Sequence, residues 1–176
     1  MRVFILAMLC NLLSACAESV SSIKKDIDVP LQQNSGYLLL AVNTDTVLEG
    51  IVITGEKTIK LEHDDLKKFN NFILLDMPAG NYKFDAIRLS RFASIQLDND
   101  YWGFAVSPGV ISYVGELNLR STGFFSTVFR VQLHNKSSEA LQHMEANFPG
   151  ILEKRRLRYR GPGEDKFFEL MEQQGQ

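Results

Sequence analysis

From residue 36 to residue 133 the chain is a succession of short apolar or alternating runs, each closed by turn-forming residues. Runs of this length, with a period of two or none, read as strands. Residues 36–42 form a buried-strand run, 43–46 a turn, 50–54 a second strand, 55–57 a tight connection and 58–61 a short strand. Residues 62–71 are charged and polar, and read as a loop or a single helical turn. Strands over 72–77, 82–89, 93–97, 102–106, 110–120 and 124–133 complete the set. In the 82–89 strand the alternation groups Tyr82, Phe84, Ala86 and Arg88 on one face. Turn signals about every 8 to 12 residues predict a mostly β chain folded as an antiparallel β-sandwich or barrel.

One helix is predicted in the C-terminal half, over about 137–148. Asn135 to Glu139 supply capping side chains. Ala140, Leu141, Met144 and Phe148 share one face, and Pro149-Gly150 ends the element. This helix is expected to lie across one sheet or to close one end of the sandwich. The tail is basic: Lys154, Arg156, Arg158 and Arg160 occupy the even positions, Leu157 and Tyr159 alternate with them, and Arg155 adds another charge. A period of two predicts a strand with one basic face. Gly161-Pro162-Gly163 breaks it, and 164–174 carries a weak helical pattern.

The start of the chain has its own pattern. Met1-Arg2 supplies a positive charge, and 3–13 is apolar except for Asn11. That run is too short to span a bilayer, which takes about 20 residues. A charged start, an apolar run and small residues at its end make a secretory signal peptide. Its last residues, Leu13-Ser14-Ala15-Cys16, resemble the lipobox of bacterial lipoproteins. The resemblance implies cleavage between Ala15 and Cys16, a diacylglyceryl group on the Cys16 thiol and an acylated amine, with palmitate as the expected fatty acid. The alternative is an ordinary signal peptide cut after Ala15 or Ala17, leaving Cys16 a free thiol. Ala17, in the place where Asp retains Gram-negative lipoproteins in the inner membrane, implies an outer-membrane anchor facing the periplasm. Two or three acyl chains hold a protein firmly to a membrane. The predicted organisation is a signal peptide over 1–15, a lipidated N-terminus and extended tether over 16–35, and the sandwich with its helix and basic strand over 36–176. Within the tether, Ile27, Val29 and Leu31 alternate, which allows a short strand.

The stretch Leu75-Asp76-Met77-Pro78-Ala79-Gly80-Asn81-Tyr82 resembles a hairpin of prealbumin-like sandwich domains, including the regulatory-type domain of carboxypeptidases. Phe104 to Leu117, with Pro108-Gly109 and Tyr113-Val114-Gly115-Glu116-Leu117, is similar to a second piece found in uncharacterised bacterial lipoproteins with such domains. The resemblance implies a prealbumin-like sandwich and no particular activity.

Formal net charge is −2, which gives no reason to expect a nucleic-acid partner. Of the 2 cysteines, Cys10 leaves with the signal and Cys16 carries lipid, so no disulfide and no cysteine zinc site are expected. There is no Gly-x-Ser-x-Gly elbow. His134 and His143 lack the spacing of a helical zinc pair, and Asp98-Asn99-Asp100 reads as an Asx-rich turn before a calcium loop. Tyr101-Trp102 reads as core packing before a contact patch. The expectation is therefore a non-enzymatic protein without cofactor or metal, anchored by lipid, that binds or scaffolds another envelope protein. The alternative is a binder of lipopolysaccharide or peptidoglycan through Lys154, Arg155, Arg156, Arg158 and Arg160, since guanidinium groups suit phosphates and carboxylates. A hydrolase with a cryptic Ser, His and Asp constellation is the third reading.

Overall fold

The computed structural model describes residues 17–122 and 128–174. Ala15, Cys16 and the signal segment lie outside the described residues, as do Phe124 and Phe125 of the predicted 124–133 strand. The fold is a β-sandwich with helices in its C-terminal part. Strand β1 is Glu18–Val20, β2 Ser35–Thr44, β3 Gly50–Gly55, β4 Ile59–Glu62, β5 Phe69–Pro78 and β6 Gly80–Ser90. Strand β7 is Ala93–Gln96, β8 Gly103–Val106, β9 Ile111–Thr122, β10 Val128–His134 and β11 Leu157–Tyr159. The helices are α1 (Ser137–Asn147), α2 (Pro149–Lys154) and α3 (Phe167–Gln174).

The first sheet has the order β1-β4-β3-β6-β7, with β8 beside β7 on the same edge of β6. The second has the order β10-β9-β2-β5, with β11 and β10 sharing one edge of β9. Most pairings are antiparallel, whereas β1–β4, β2–β9 and β11–β9 run parallel, so both sheets are mixed.

Alternation along β2 divides the interior into two cores. Leu38, Leu40 and Val42 face the first sheet and meet Ile51, Ile53, Phe84 and Leu117. Tyr37, Leu39 and Ala41 face the other way and pack with Tyr113, Met144, Phe148, Ile151 and Phe168. The second sheet is therefore buried on both faces, and this is why β2 is a continuous apolar run instead of an alternating one. The predicted helix is α1, and with α2 and α3 it covers the outer face of this sheet.

Two bulges set which side chains reach the cores. The β3–β6 register steps from Val52↔Ala86 to Ile53↔Phe84, leaving Asp85 as the extra residue. The faces switch there, so Ile87, and not Ala86 or Arg88, follows Tyr82 and Phe84 into the core. In β9, Gly115 (φ +112) stands where the register with β2 shifts between Leu39 and Ala41. Val114 and Leu117 thereby both enter the sandwich, while Tyr113 joins the helical side. Glu116 is buried and meets Lys136 Nζ, just before α1, at 3.3 Å.

The N-terminal segment differs from the expected tether. From Glu18 it is docked along the domain, and its strand is β1, not 27–31; Ile27 and Val29 are exposed. The Glu18 N–H donates to the Thr58 carbonyl (3.0 Å), and β1 lies parallel on β4. The Ser22 N–H then donates to buried Asp65 (2.6 Å), and the Ile23 N–H to the Leu74 carbonyl (2.8 Å). Asp26 accepts from the Gly150 and Ile151 N–H groups at 2.7 and 2.9 Å and so satisfies free donors at the start of α2. Leu31 packs against the helical core. The polar composition that reads as a tether consists largely of side chains that pair with distant parts of the fold.

Candidate functional site

The basic tract is not one strand face. Lys154 ends α2, and only Leu157–Tyr159 is strand, so the predicted run over 154–160 is a helix end, a turn and three strand residues. Leu157 and Tyr159 are buried in the helical core. The alternation holds at these two positions, but the cations around them are largely engaged within the molecule.

Arg155 forks onto Asp28, with Nε at 3.1 and 3.2 Å from its oxygens and a terminal nitrogen at 3.0 Å. The Tyr37 hydroxyl donates to the same carboxylate at 2.9 Å. The Asp28 side chain is only 8% exposed. Burial pushes its carboxyl up, but the Arg155 and Tyr37 hydrogen bonds and the guanidinium charge outweigh this and hold it below the usual carboxylate range. Burial, reinforced by the bond to Asp28, pushes the Tyr37 hydroxyl up to about 12. Arg158 is held by Glu172 through two bonds of 2.7 Å and lies 3.4 Å from Glu169, both on α3. Arg160 donates to Ser107 Oγ at 2.9 Å. The counter-charges are thus Asp28 for Arg155 and Glu169 and Glu172 for Arg158, while among the described residues Arg160 forms no ion pair. Asp165 accepts from Ser137 and Asn135 at the start of α1.

Lys154 and Arg156 remain. Both are exposed, and among the described residues neither side chain has a hydrogen bond or ion pair, although Lys154 acts through its charge on Asp28 and Arg156 on Glu172. They stand on the rim of a groove of about 480 Å³ bounded by α1, α2, β11 and α3. Its apolar lining is Leu141, Leu152, Leu157, Phe168 and Met171. Glu145, Glu153 and Glu172 border it as well, Glu172 engaged by Arg158. Met171 and its neighbour Leu170 on α3 are 42% and 54% exposed, which extends the apolar surface outward. Such an arrangement takes an apolar side chain on the floor and an anionic group at the rim.

The histidines and the Asx-rich turn are dispersed. His63 lies beside Asp64 (2.9 Å) at the end of β4, and His134 ends β10. His143 stacks on Phe72 with ring centroids 4.1 Å apart, and burial pushes its pKa down. Among the described residues no group of three or more His, Cys, Asp or Glu is placed to hold a metal. Asn99 accepts from the Tyr101 N–H (3.1 Å) and caps the turn at Asp100–Trp102. Trp102 is buried, while Tyr101 is half-exposed with its hydroxyl on the Leu133 carbonyl. Among the described residues no helix is long and apolar enough to cross a membrane. No protein-family profile, no curated protein and no solved structure matches this chain.

Proposed function

We propose that this chain is an outer-membrane lipoprotein, held by lipid on Cys16 and facing the periplasm, whose domain is a non-catalytic binding module for another envelope protein. The Leu13-Ser14-Ala15-Cys16 pattern behind a short apolar run supports the anchor. One observation supports the binding role: two exposed cations without a hydrogen-bonded partner border an apolar groove in the helical layer that covers a doubly buried sheet. An aliphatic floor with exposed methionine and an arginine rim has the composition of a protein interface. The segment it suits presents an apolar side chain beside a carboxylate. An extended polyanion is served less well, because Arg155, Arg158 and Arg160 are engaged internally.

The test is site-specific photocross-linking in cells, with the reactive side chain at Met171. One discrete protein adduct is expected. Lys154→Ser with Arg156→Ser should reduce it about tenfold, as for about 1.4 kcal/mol of lost charge complementarity. Both residues are exposed and unpaired, so stability should change by less than about 0.5 kcal/mol. An adduct indifferent to the substitutions counts against the groove. Sedimentation with sacculi or lipopolysaccharide, lost in the same variants and without any adduct, would put the polymer reading in its place.

A further inference from the structure

The strand register gathers a different set of residues at one end of the sandwich. Thr44 pairs with Phe69 and Leu119, and Gly50 pairs with Glu62 and Arg88. The connections 45–49, 63–68 and 91–92 therefore share one end. Glu18 pairs with Ile59, at the far end of β4, so the chain enters the domain from the opposite side.

Large apolar side chains stand in water at the loop end. Phe92 is 89% exposed, Phe69 72% and Val47 56%. Both aromatic tips are held outward by their own loops. Phe69 has φ +73, a left-handed conformation costly for a bulky residue unless its surroundings enforce it. The Asn71 amide enforces it, donating to the Lys67 and Phe69 carbonyls at 2.5 and 3.0 Å. The Phe92 N–H donates to Ser90 Oγ at 3.2 Å, and the Arg91 guanidinium lies 5.4 Å from the ring centroid.

Exposed cations precede each tip: Lys67 and Lys68 before Phe69, and Arg91 before Phe92. Arg88 is exposed nearby. Among the acids of this end, Asp45 accepts from the Ser121 N–H and Asp65 from Ser22 and Lys24. Asp65 and Glu62 are paired with Lys24 and Lys60, while Asp45, Glu49 and Asp64 keep their charge against Lys67, Lys68, Arg88 and Arg91, which leaves a small excess of cations. The aromatic tips belong to edge elements of different sheets. A flat protein partner needs a contiguous apolar patch, whereas a bilayer accepts separate tips one at a time.

We propose that this loop end is a lipid-inserting surface for anionic bilayers, with Phe69 and Phe92 entering the acyl boundary while Lys67, Lys68 and Arg91 meet lipid phosphates. The surface goes beyond the anchor reading and does not depend on it. The two ends are separated by about 33 Å along the 10-residue β2.

Both cores lie between Val20 and Phe168, so the chain without residues 1–15 and with Cys16→Ser keeps them whole. That protein is floated with phosphatidylcholine vesicles, with and without phosphatidylglycerol. It should co-float with the anionic vesicles and be released by salt. Phe69→Ser and Phe92→Ser should each lower partitioning about tenfold, the transfer free energy of one aromatic side chain. Replacing Lys67, Lys68 and Arg91 by Ser should remove the preference for phosphatidylglycerol with the melting curve unchanged. Failure to co-float with anionic vesicles overturns the proposal. So does flotation unaffected by the phenylalanine changes, which would locate binding elsewhere. A discrete protein adduct from position 92 in cells, without vesicle binding, would make this a protein surface and also overturn it.

Discussion

Asp28→Ala is expected to lower the unfolding free energy by about 3 kcal/mol, the lower end of what breaking a buried ion pair costs. The loss is that large because two partners are stranded together. The Arg155 side chain, 23% exposed, would keep its charge without a counter-ion, and the Tyr37 hydroxyl would lose its acceptor inside the helical core. Asp28→Asn should recover part of the Tyr37 bond and little of the Arg155 interaction. Urea unfolding followed by fluorescence of buried Trp102, the 1 tryptophan of the chain, measures both. The same cluster gives a pH dependence. The folded-state pKa of Asp28 lies below the ordinary 3.8. Its contribution is therefore present above pH 4 or so and is lost as pH falls through the folded value. Tyr37 acts at the other limit. Its folded value of about 12 against an ordinary 10.0 means that stability is complete below pH 10 and declines as pH rises toward 12. In Asp28→Ala the acid-side dependence should shrink.

Leu39→Ala should cost about 3–5 kcal/mol, as much as Leu40→Ala on the opposite face of β2. Both side chains are 0% exposed. In an ordinary two-layer sandwich the outward residue of a strand is solvated, and its truncation costs less than about 1 kcal/mol. Here Leu39 packs under α1 and α2, so the helical layer forms a core of the same standing as the one between the sheets. Equal losses for the two variants are the expected result. A cheap Leu39→Ala would mean that the helices contribute little to the folded state.

Local patterns carry the strands, the α1 helix and the turns at Pro78 and Pro108, because period and turn chemistry are properties of neighbouring residues. The bulges at Asp85 and Gly115 shift the faces by one residue; Gly115, a lone glycine within a strand run, is a local sign of one, whereas nothing local marks the bulge at Asp85. The N-terminal segment reads as a tether for a related reason. Its decisive contacts join residues 43 to 127 positions apart: Ser22 to Asp65, Asp26 to Gly150, Asp28 to Arg155. Its composition records only that it is polar. In the basic tract, the buried alternation of Leu157 and Tyr159 is legible, but the partition of its cations depends on α3 and Asp28. Phe69 and Phe92 fall in stretches that read as connections, and the sequence does not say which way an aromatic in a connection points. The fold leaves both in water.

The lipid anchor on Cys16 is tested most directly by mass spectrometry of the mature N-terminal peptide. The predicted result is a chain beginning at Cys16 with diacylglyceryl and acyl groups attached, recovered in the outer-membrane fraction and lost from it in Cys16→Ser. A soluble periplasmic protein beginning at Cys16 or Ser19-adjacent Glu18, with no lipid on its N-terminus, would contradict the anchor and with it the proposed role.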